Sequence, residues 1–312
     1  MKKAPDPNPS PTNRPNLIRI DDLDDPRLVV FANQRDQWLR ARHRPHLTGQ
    51  APHPNATGTG LPGDLFIAEG DKVVAQLISS PHETLSVMVS EHRLAHHLPF
   101  LDGLDPGVPV YVAARDVVDK ITGFAIHKGL LACGQRINQG TPTQLAQRSA
   151  LVVILEDLTN HDNVGGIFRN VRALAAPSPA REFPACVLLT PRCCDPLYRK
   201  SLRVSMGNAL HVPFAFLDSW PEDLNKLANA GCEPLAMTPA KDSTDLTEFR
   251  SVSDRVPAII MGTEGPGLAS KTLDQVRALG GRALKIDIQP EADSLNVSVA
   301  CAIALHRFRS PG

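Results

Sequence analysis

The run Leu151-Val152-Val153-Ile154-Leu155 constrains the fold of this chain more than any other stretch. A strand that is apolar on both faces has to be covered on both, which is the condition of a central parallel strand in a layered α/β domain. The alternation continues to the carboxyl end. Strands are expected at 185–189, 210–216, 233–237, 258–261 and 283–288. Helices are expected at about 164–175, 197–204, 222–230 and 270–279, with a last helix opening after Asp293 and Ser294. Residues 151–312 therefore read as a three-layer α/β domain with a mostly parallel sheet. Ligands of such sheets bind beyond the carboxyl ends of the strands, so chemistry is expected in the loops after Leu155, Met237, Met261 and Ile288.

The amino-terminal half reads as a second, smaller unit. Residues 1–20 form a tail, with five prolines between Ala4 and Pro15 and almost nothing to bury. From 25 to 44 the pattern is helical, with Leu28, Phe31, Trp38 and Leu39 towards one side. Arg35, Arg40, Arg42 and Arg44 crowd its far end, as a solvated face or as an RNA-facing patch. After a Pro- and Gly-rich loop at 43–62, short strands and helices alternate up to Leu131-Ala132-Cys133-Gly134, giving a small α/β sandwich over 21–135. The polar segment 136–150, with Gly140 and Pro142, reads as the linker.

Composition narrows the functional classes. Hydrophobic residues make up 42% and charged residues 21% of the chain, and no run approaches the roughly 18 apolar residues of a membrane span. The amino terminus has no apolar leader, so a cytoplasmic location is expected. Six cysteines without a C-x-x-C pair point to reduced, buried thiols and to no metal. A net charge of zero argues against general binding of polyanions, although a nucleic-acid enzyme requires only a local basic face.

Three loops carry the remaining information. In 156–172, Asn163 is placed to cap a helix, and Gly165 and Gly166 sacrifice about 1 kcal/mol of helix propensity each, which calls for a close approach to the backbone. Ile167, Val171 and Leu174 form a core stripe that leaves Arg169 on the side of Arg172; taken alone, Arg169 reads as a surface ion pair. The loop Gly262-Thr263-Glu264-Gly265-Pro266-Gly267-Leu268 has no basic residue, and Glu264 in its middle would repel a phosphate. It meets neither the dinucleotide fingerprint nor the P-loop spacing, so a neutral or cationic ligand suits it better. Beyond Ile288, Glu291 and Asp293 are acidic again. The helix that follows is apolar on every side except for Asn296 and Ser298. Its amide is either a satisfied core group or one held for a ligand.

Taken together, Asn163-x-Gly165-x3-Arg169, Met261-Gly262-Thr263-Glu264-Gly265-Pro266-Gly267-Leu268 and Ser294-Leu295-Asn296-Val297-Ser298-Val299-Ala300 resemble the three motifs of the SpoU/TrmH family of RNA 2′-O-ribose methyltransferases, in the SPOUT superfamily. Arg203-x-Ser205-Met206-Gly207 is similar to a further family pattern. The resemblance covers about 151–308. It extends to the first domain, where Phe66-Ile67-Ala68-Glu69-Gly70 and Gly123-Phe124-Ala125-Ile126-His127-Lys128-Gly129 are similar to the ribosomal-protein-like substrate-binding domain of two-domain members. One departure is Ile286-Asp287-Ile288, where the family usually has Ile-Pro-Met.

The resemblance implies a carboxyl-terminal α/β fold with a deep trefoil knot, whose loops bind S-adenosylmethionine. By position, Thr238, Gly262, Glu264, Gly265, Ile286 and Leu295 would contact this cofactor, with Leu235, Ile286 and Leu295 as the apolar wall for adenine. Arg169 would be the essential catalytic group, Asn163 would fix its loop, and Ser294 and Asn296 would position the hydroxyl or the arginine. An always-protonated guanidinium is suited to stabilising an alkoxide rather than to acting as a literal base. RNA contacts are expected from Arg199, Lys200 and Arg203, and from Arg35 and Arg40 in the first domain. The partners implied are RNA, rRNA in preference to tRNA, and a second copy of the chain through the carboxyl-terminal domain. A catalytically silent RNA-binding or ribosome assembly factor is the alternative, and a nucleotide-dependent oxidoreductase is disfavoured by the missing fingerprint.

Overall fold

The computed structural model describes residues 15–31, 64–101, 103–122, 129–240, 242–250, 254–289, 291–292 and 294–309. The chain divides into two compact units, Met1–Ile137 and Asn138–Gly312.

The first unit holds a five-stranded mixed sheet of β1 (Asn16–Arg19), β2 (Leu65–Glu69), β3 (Glu83–Ser90), β4 (Pro109–Ala113) and β5 (Leu130–Gln135). The order is β1-β4-β3-β5-β2. Strand β4 runs parallel to β1 and β3, and β5 antiparallel to β3 and β2. Helices α1 (Asp71–Ile78), α2 (Leu94–His97) and α3 (Arg115–Thr122) complete it. Ile67, Met88, Tyr111 and Leu131 share one core cluster with Ile20, Leu28 and Phe31.

This corrects the reading of 1–20 as a tail. Asn16–Arg19 adds a parallel strand to β4, and Ile20 is buried; the Leu-Ile-Arg-Ile alternation was masked by the prolines before it. The helix expected from 25 begins only as a 3-10 turn, Pro26–Leu28, whose first turn is held by Asp25 accepting from the Arg27 N–H at 2.9 Å. The remainder of that segment, with Arg35, Arg40, Arg42 and Arg44, lies outside the described residues, as does 123–128.

The segment 136–150 is not a bare linker. It contains α4 (Pro142–Arg148), opened by a capping box. The Thr141 hydroxyl accepts from the Gln144 N–H at 3.3 Å, and the Gln144 amide oxygen accepts from the Thr141 N–H at 2.9 Å. Leu145 and Ala146 are fully buried in the core of the second unit.

That unit is built on seven parallel strands: β6 (Val152–Leu155), β7 (Cys186–Leu189), β8 (Phe214–Phe216), β9 (Cys232–Met237), β10 (Thr244–Asp245), β11 (Val256–Met261) and β12 (Arg282–Lys285). Their order is β10-β12-β9-β11-β6-β7-β8. All four residues of β6 are buried, as a strand between β11 and β7 requires. Around the sheet lie α5 (His161–Leu174), α6 (Arg199–Val204), α7 (Asp223–Asn229), α8 (Ser270–Ala278) and α9 (Val297–Arg309). Two expected strands are shorter. The stretch 210–216 is divided between a 3-10 turn, Asn208–His211, and β8, and 283–288 leaves the sheet after Lys285. The edge strand β10, only two residues long, gives no periodic signal to read.

The two glycines of α5 have an answer within the fold. A Cβ at Gly165 would lie 2.7 Å from the Ser201 carbonyl oxygen and 2.9 Å from Val204 Cβ, on α6. One at Gly166 would lie 3.1 Å from Ser298 Cβ, on α9. The close approach predicted for this backbone comes from helices on both sides.

All six cysteines are buried and free. Burial pushes the thiols of Cys133, Cys186 and Cys301 up to about 12. No helix among the described residues is long and apolar enough to cross a membrane.

Gly165→Ala should destabilise the chain by about 1–3 kcal/mol, the range of overpacking a close-packed contact, because a backbone carbonyl stands in the way. Gly166→Ala should cost less, since its contact with Ser298, at 3.1 Å, is looser than the 2.7 Å approach at Gly165 and alanine favours the helix. Urea unfolding of both variants checks the order.

Candidate cofactor and substrate site

The carboxyl ends of β9, β11 and β12, neighbours in the sheet, open into a cavity of about 320 Å³. Its floor comes from Met237, Met261 and Leu284, and its sides from the loops that follow those strands and from the start of α9. The six residues expected to contact a cofactor, Thr238, Gly262, Glu264, Gly265, Ile286 and Leu295, all line it, and so does Ser294. Leu235 does not: it is fully buried within β9. The apolar wall is formed instead by Leu268, Leu273 and Leu284 with Ile286 and Leu295.

The loop 262–268 is braced across itself. Thr263 and Gly267 exchange backbone hydrogen bonds at 3.2 Å, and the Thr263 hydroxyl also donates to the Gly267 carbonyl. Gly262 meets the backbone of Gly267 and Leu268 so closely that a Cβ would lie 2.5 Å from a carbonyl carbon. Gly265 and Gly267 occupy the left-handed region, at φ 91° and 70°. The result is a preformed rim with Glu264 exposed on it.

Asn296 connects this rim to the first loop. Its Nδ2 donates to Asn163 Oδ1 at 2.9 Å and to Glu264 Oε1 at 2.5 Å. Its Oδ1 accepts from the Ser298 N–H at 3.0 Å and the Ser298 hydroxyl at 2.7 Å. Two expectations change here. The helix starts at Val297, so Asn296 rather than Ser294 caps it, Asp293 lying outside the described residues, and the amide is exposed rather than enclosed in a dry helix. Helix α9 is not buried all round either: Val299 and Ile303, one turn apart, are 47% and 39% exposed. At the start of α5, Asn160 is the cap, accepting from the Asp162 N–H at 2.8 Å. Asn163 sits buried in the first turn, which frees its side chain to reach Asn296.

Asn170, on the same side of α5, donates to the Ser298 carbonyl at 2.8 Å. Arg169 beside it is exposed and makes no hydrogen bond or ion pair with a described residue. The structure thus joins Asn163, Asn296 and Glu264 directly and leaves Arg169 on an open face. Of the expected RNA contacts, Arg203 is exposed and Arg199 half-buried, and Lys200 pairs with Asp162 at 2.7 Å. Arg192 pairs with Asp157, whose hydrogen bond holds the guanidinium above its ordinary pKa. Arg35 and Arg40 lie outside the described residues.

Some members of the site have only faint sequence signals. Ser298 stands in a motif but gives no hint that it closes the amide network, and Lys285 lines the cavity from the end of a strand. In the first unit, Asp71 lies 3.0 Å from His97 Nδ1 and 3.5 Å from His96 Nε2.

Residues 150–306 match the SpoU rRNA Methylase family. Uncharacterized tRNA/rRNA methyltransferases of Mycobacterium tuberculosis and Mycobacterium bovis are 35% identical over 292 residues, covering 93% of this chain and 91% of theirs. Among solved structures, an AdoMet-bound rRNA methyltransferase from Sinorhizobium meliloti has a TM-score of 0.66 at 19% identity, covering 94% of this chain and 98% of that one. The SpoU methyltransferase AviRb from Streptomyces viridochromogenes, in complex with AdoMet, has a TM-score of 0.63 at 18% identity, with 88% and 97% covered. At these identities the two structures speak for the fold alone.

Removing the bridging amide tests how far the site depends on it. Asn296→Ala uncaps α9 and leaves Asn163 and Glu264 without their donor, a loss expected to be about 1–2 kcal/mol. Chemical denaturation of the variant against the unaltered chain measures it.

Proposed function

The chain belongs to the SpoU rRNA Methylase family, an RNA methyltransferase by that membership, and we propose that it transfers a methyl group from S-adenosylmethionine to a ribose 2′-hydroxyl of ribosomal RNA. The observation that carries this reading is the convergence of Thr238, Gly262, Glu264, Gly265, Ile286 and Leu295 on one cavity at the ends of three adjacent parallel strands. An apolar wall of Leu268, Leu273 and Leu284 suits an adenine, and a carboxylate on an otherwise uncharged glycine loop suits a sulfonium. When bound, the cofactor supplies an electrophilic methyl group on a positively charged sulfur.

The protein's own residues then have to orient and ease attack by a poor nucleophile. Arg169 is the group assigned to the 2′-hydroxyl: its guanidinium stabilises oxyanion character as the proton leaves. Asn163 and Asn296 hold the loops between which the hydroxyl enters, and Ser294 presents a hydroxyl at the cavity edge. Arg199, Lys200 and Arg203 supply phosphate contacts. The Met1–Ile137 unit is assigned to binding the RNA substrate. The preference for rRNA rests on the family's description, the relatives' names giving tRNA and rRNA alike, and a cytoplasmic location belongs to the same reading.

The Asn138–Gly312 unit is proposed to be knotted and to dimerise. Strand β12 enters between β9 and β10 after both have been laid down, a threading path that supports a knot. The apolar pair Val299 and Ile303, on the helix opened by Asn296, supports a second copy seated beside the site, which would enclose Arg169.

Methyl transfer from labelled S-adenosylmethionine to separated rRNA and tRNA, with identification of the nucleoside, tests the reaction. Label in a 2′-O-methyl nucleoside of rRNA is the expected result, and cofactor binding without turnover would favour the silent RNA-binding reading. Arg169→Ala should lower turnover by about 100-fold or more, the scale of a lost oxyanion partner, with cofactor affinity retained. Ile303→Glu should convert a dimer to a monomer in light scattering.

A further inference from the structure

We propose that Glu156 is a positioning residue that fixes the cofactor loop at both of its ends, an inference that rests on the reading of the cavity as the S-adenosylmethionine site. Glu156 follows β6 directly and is only 3% exposed. Its backbone N–H donates to the Met261 carbonyl at 2.9 Å, at the entrance of the loop 262–268. Its side chain holds the exit: Oε1 accepts from the Ala269 N–H at 2.7 Å, and Oε2 accepts from the Thr272 hydroxyl at 2.6 Å. The Trp220 indole N–H is a third donor to the carboxylate, reaching Oε2 at 2.7 Å. Met261, the entrance anchor, and Leu268, just inside the exit anchor, both line the cavity.

A buried carboxylate costs free energy to desolvate and persists where donors converge on it. Here the donors come from the amino end of α8 and from the turn before α7, and the Ala269 N–H is one of the groups a helix start leaves without an internal partner. The loop between the anchors is cross-braced at Thr263 and Gly267, so once both ends are set, little of its path is free. Glu156 touches neither the cavity nor the reacting atoms; it acts through the loop. Its effect should therefore fall on cofactor binding and not on RNA binding.

Glu156→Gln keeps the shape and replaces one acceptor with a donor that faces Thr272 and Trp220. The test compares S-adenosylmethionine affinity by equilibrium dialysis, RNA affinity by filter binding and melting temperature, using the full chain. Cofactor affinity and the cofactor KM should worsen about 10-fold or more, the equivalent of one lost charge-assisted hydrogen bond. RNA affinity, and kcat at saturating cofactor, should stay within about 2-fold. Thr272→Val, which removes one donor and leaves the carboxylate, should give a smaller loss of the same kind and stays informative if the Gln variant does not fold. Unchanged cofactor affinity in both variants, or an equal loss of RNA affinity, would overturn the inference and leave the proposed function standing. Failure of the unaltered chain to bind S-adenosylmethionine would overturn both.

Discussion

The hydrogen bonds of the Asn296 amide join segments that are 133 residues apart in the chain, at Asn163, and 32 apart, at Glu264. Each connection spans a loop that had to be closed against chain entropy, and a modest hydrogen bond would not by itself hold loops of that length together. What makes it effective is the sheet beneath. Strands β6 and β11 are neighbours in register from Val152 and Ala258 onwards, so the loops they feed emerge side by side. The amide then selects one arrangement among those the sheet already permits. It also accepts from Ser298, so that the group capping α9 is the one that faces the other two loops.

Placing three loops above adjacent strand ends also explains the mixture of polar and apolar groups there. Near their carboxyl ends the strands present Met237, Met261 and Leu284, which continue the core up to the cavity floor. Polarity enters at the last residue of β12, Lys285, and where the chain leaves the sheet, at Thr238, Thr263, Glu264 and Ser294. A ligand with an apolar plate and a charged or polar end meets both without any side chain having to be buried unpaired.

The parallel architecture and the three loops were legible because their signals are local. An apolar run such as 151–155 admits few alternatives, and a glycine-rich loop with a central Glu264 is visible in seven consecutive residues. Much of the rest depends on partners that lie far apart in the chain. Gly165 and Gly166 announced a close approach, but only the packing of α6 and α9 shows that helices supply it. Leu235 is expected in the cavity wall, yet it lies mid-strand and fully buried, further from the carboxyl end of β9 than the cavity-lining Met237. Composition misled at 16–20, where a short strand hides behind prolines, and at 142–148, where a capped helix hides behind Gly140 and Pro142. Glu156 is a plain acidic residue in the sequence, and its donors at Trp220, Ala269 and Thr272 become neighbours only through the fold.

The six thiols have a practical corollary. Every native cysteine is enclosed, and burial pushes three of them up to about 12. The thiolate is the reacting form, so the folded surface is close to blank towards maleimides. A single cysteine introduced on an exposed helix position would then be the dominant labelling site without removal of the native six. Dye pairs or spin labels could be attached to this protein with its interior left as evolution packed it.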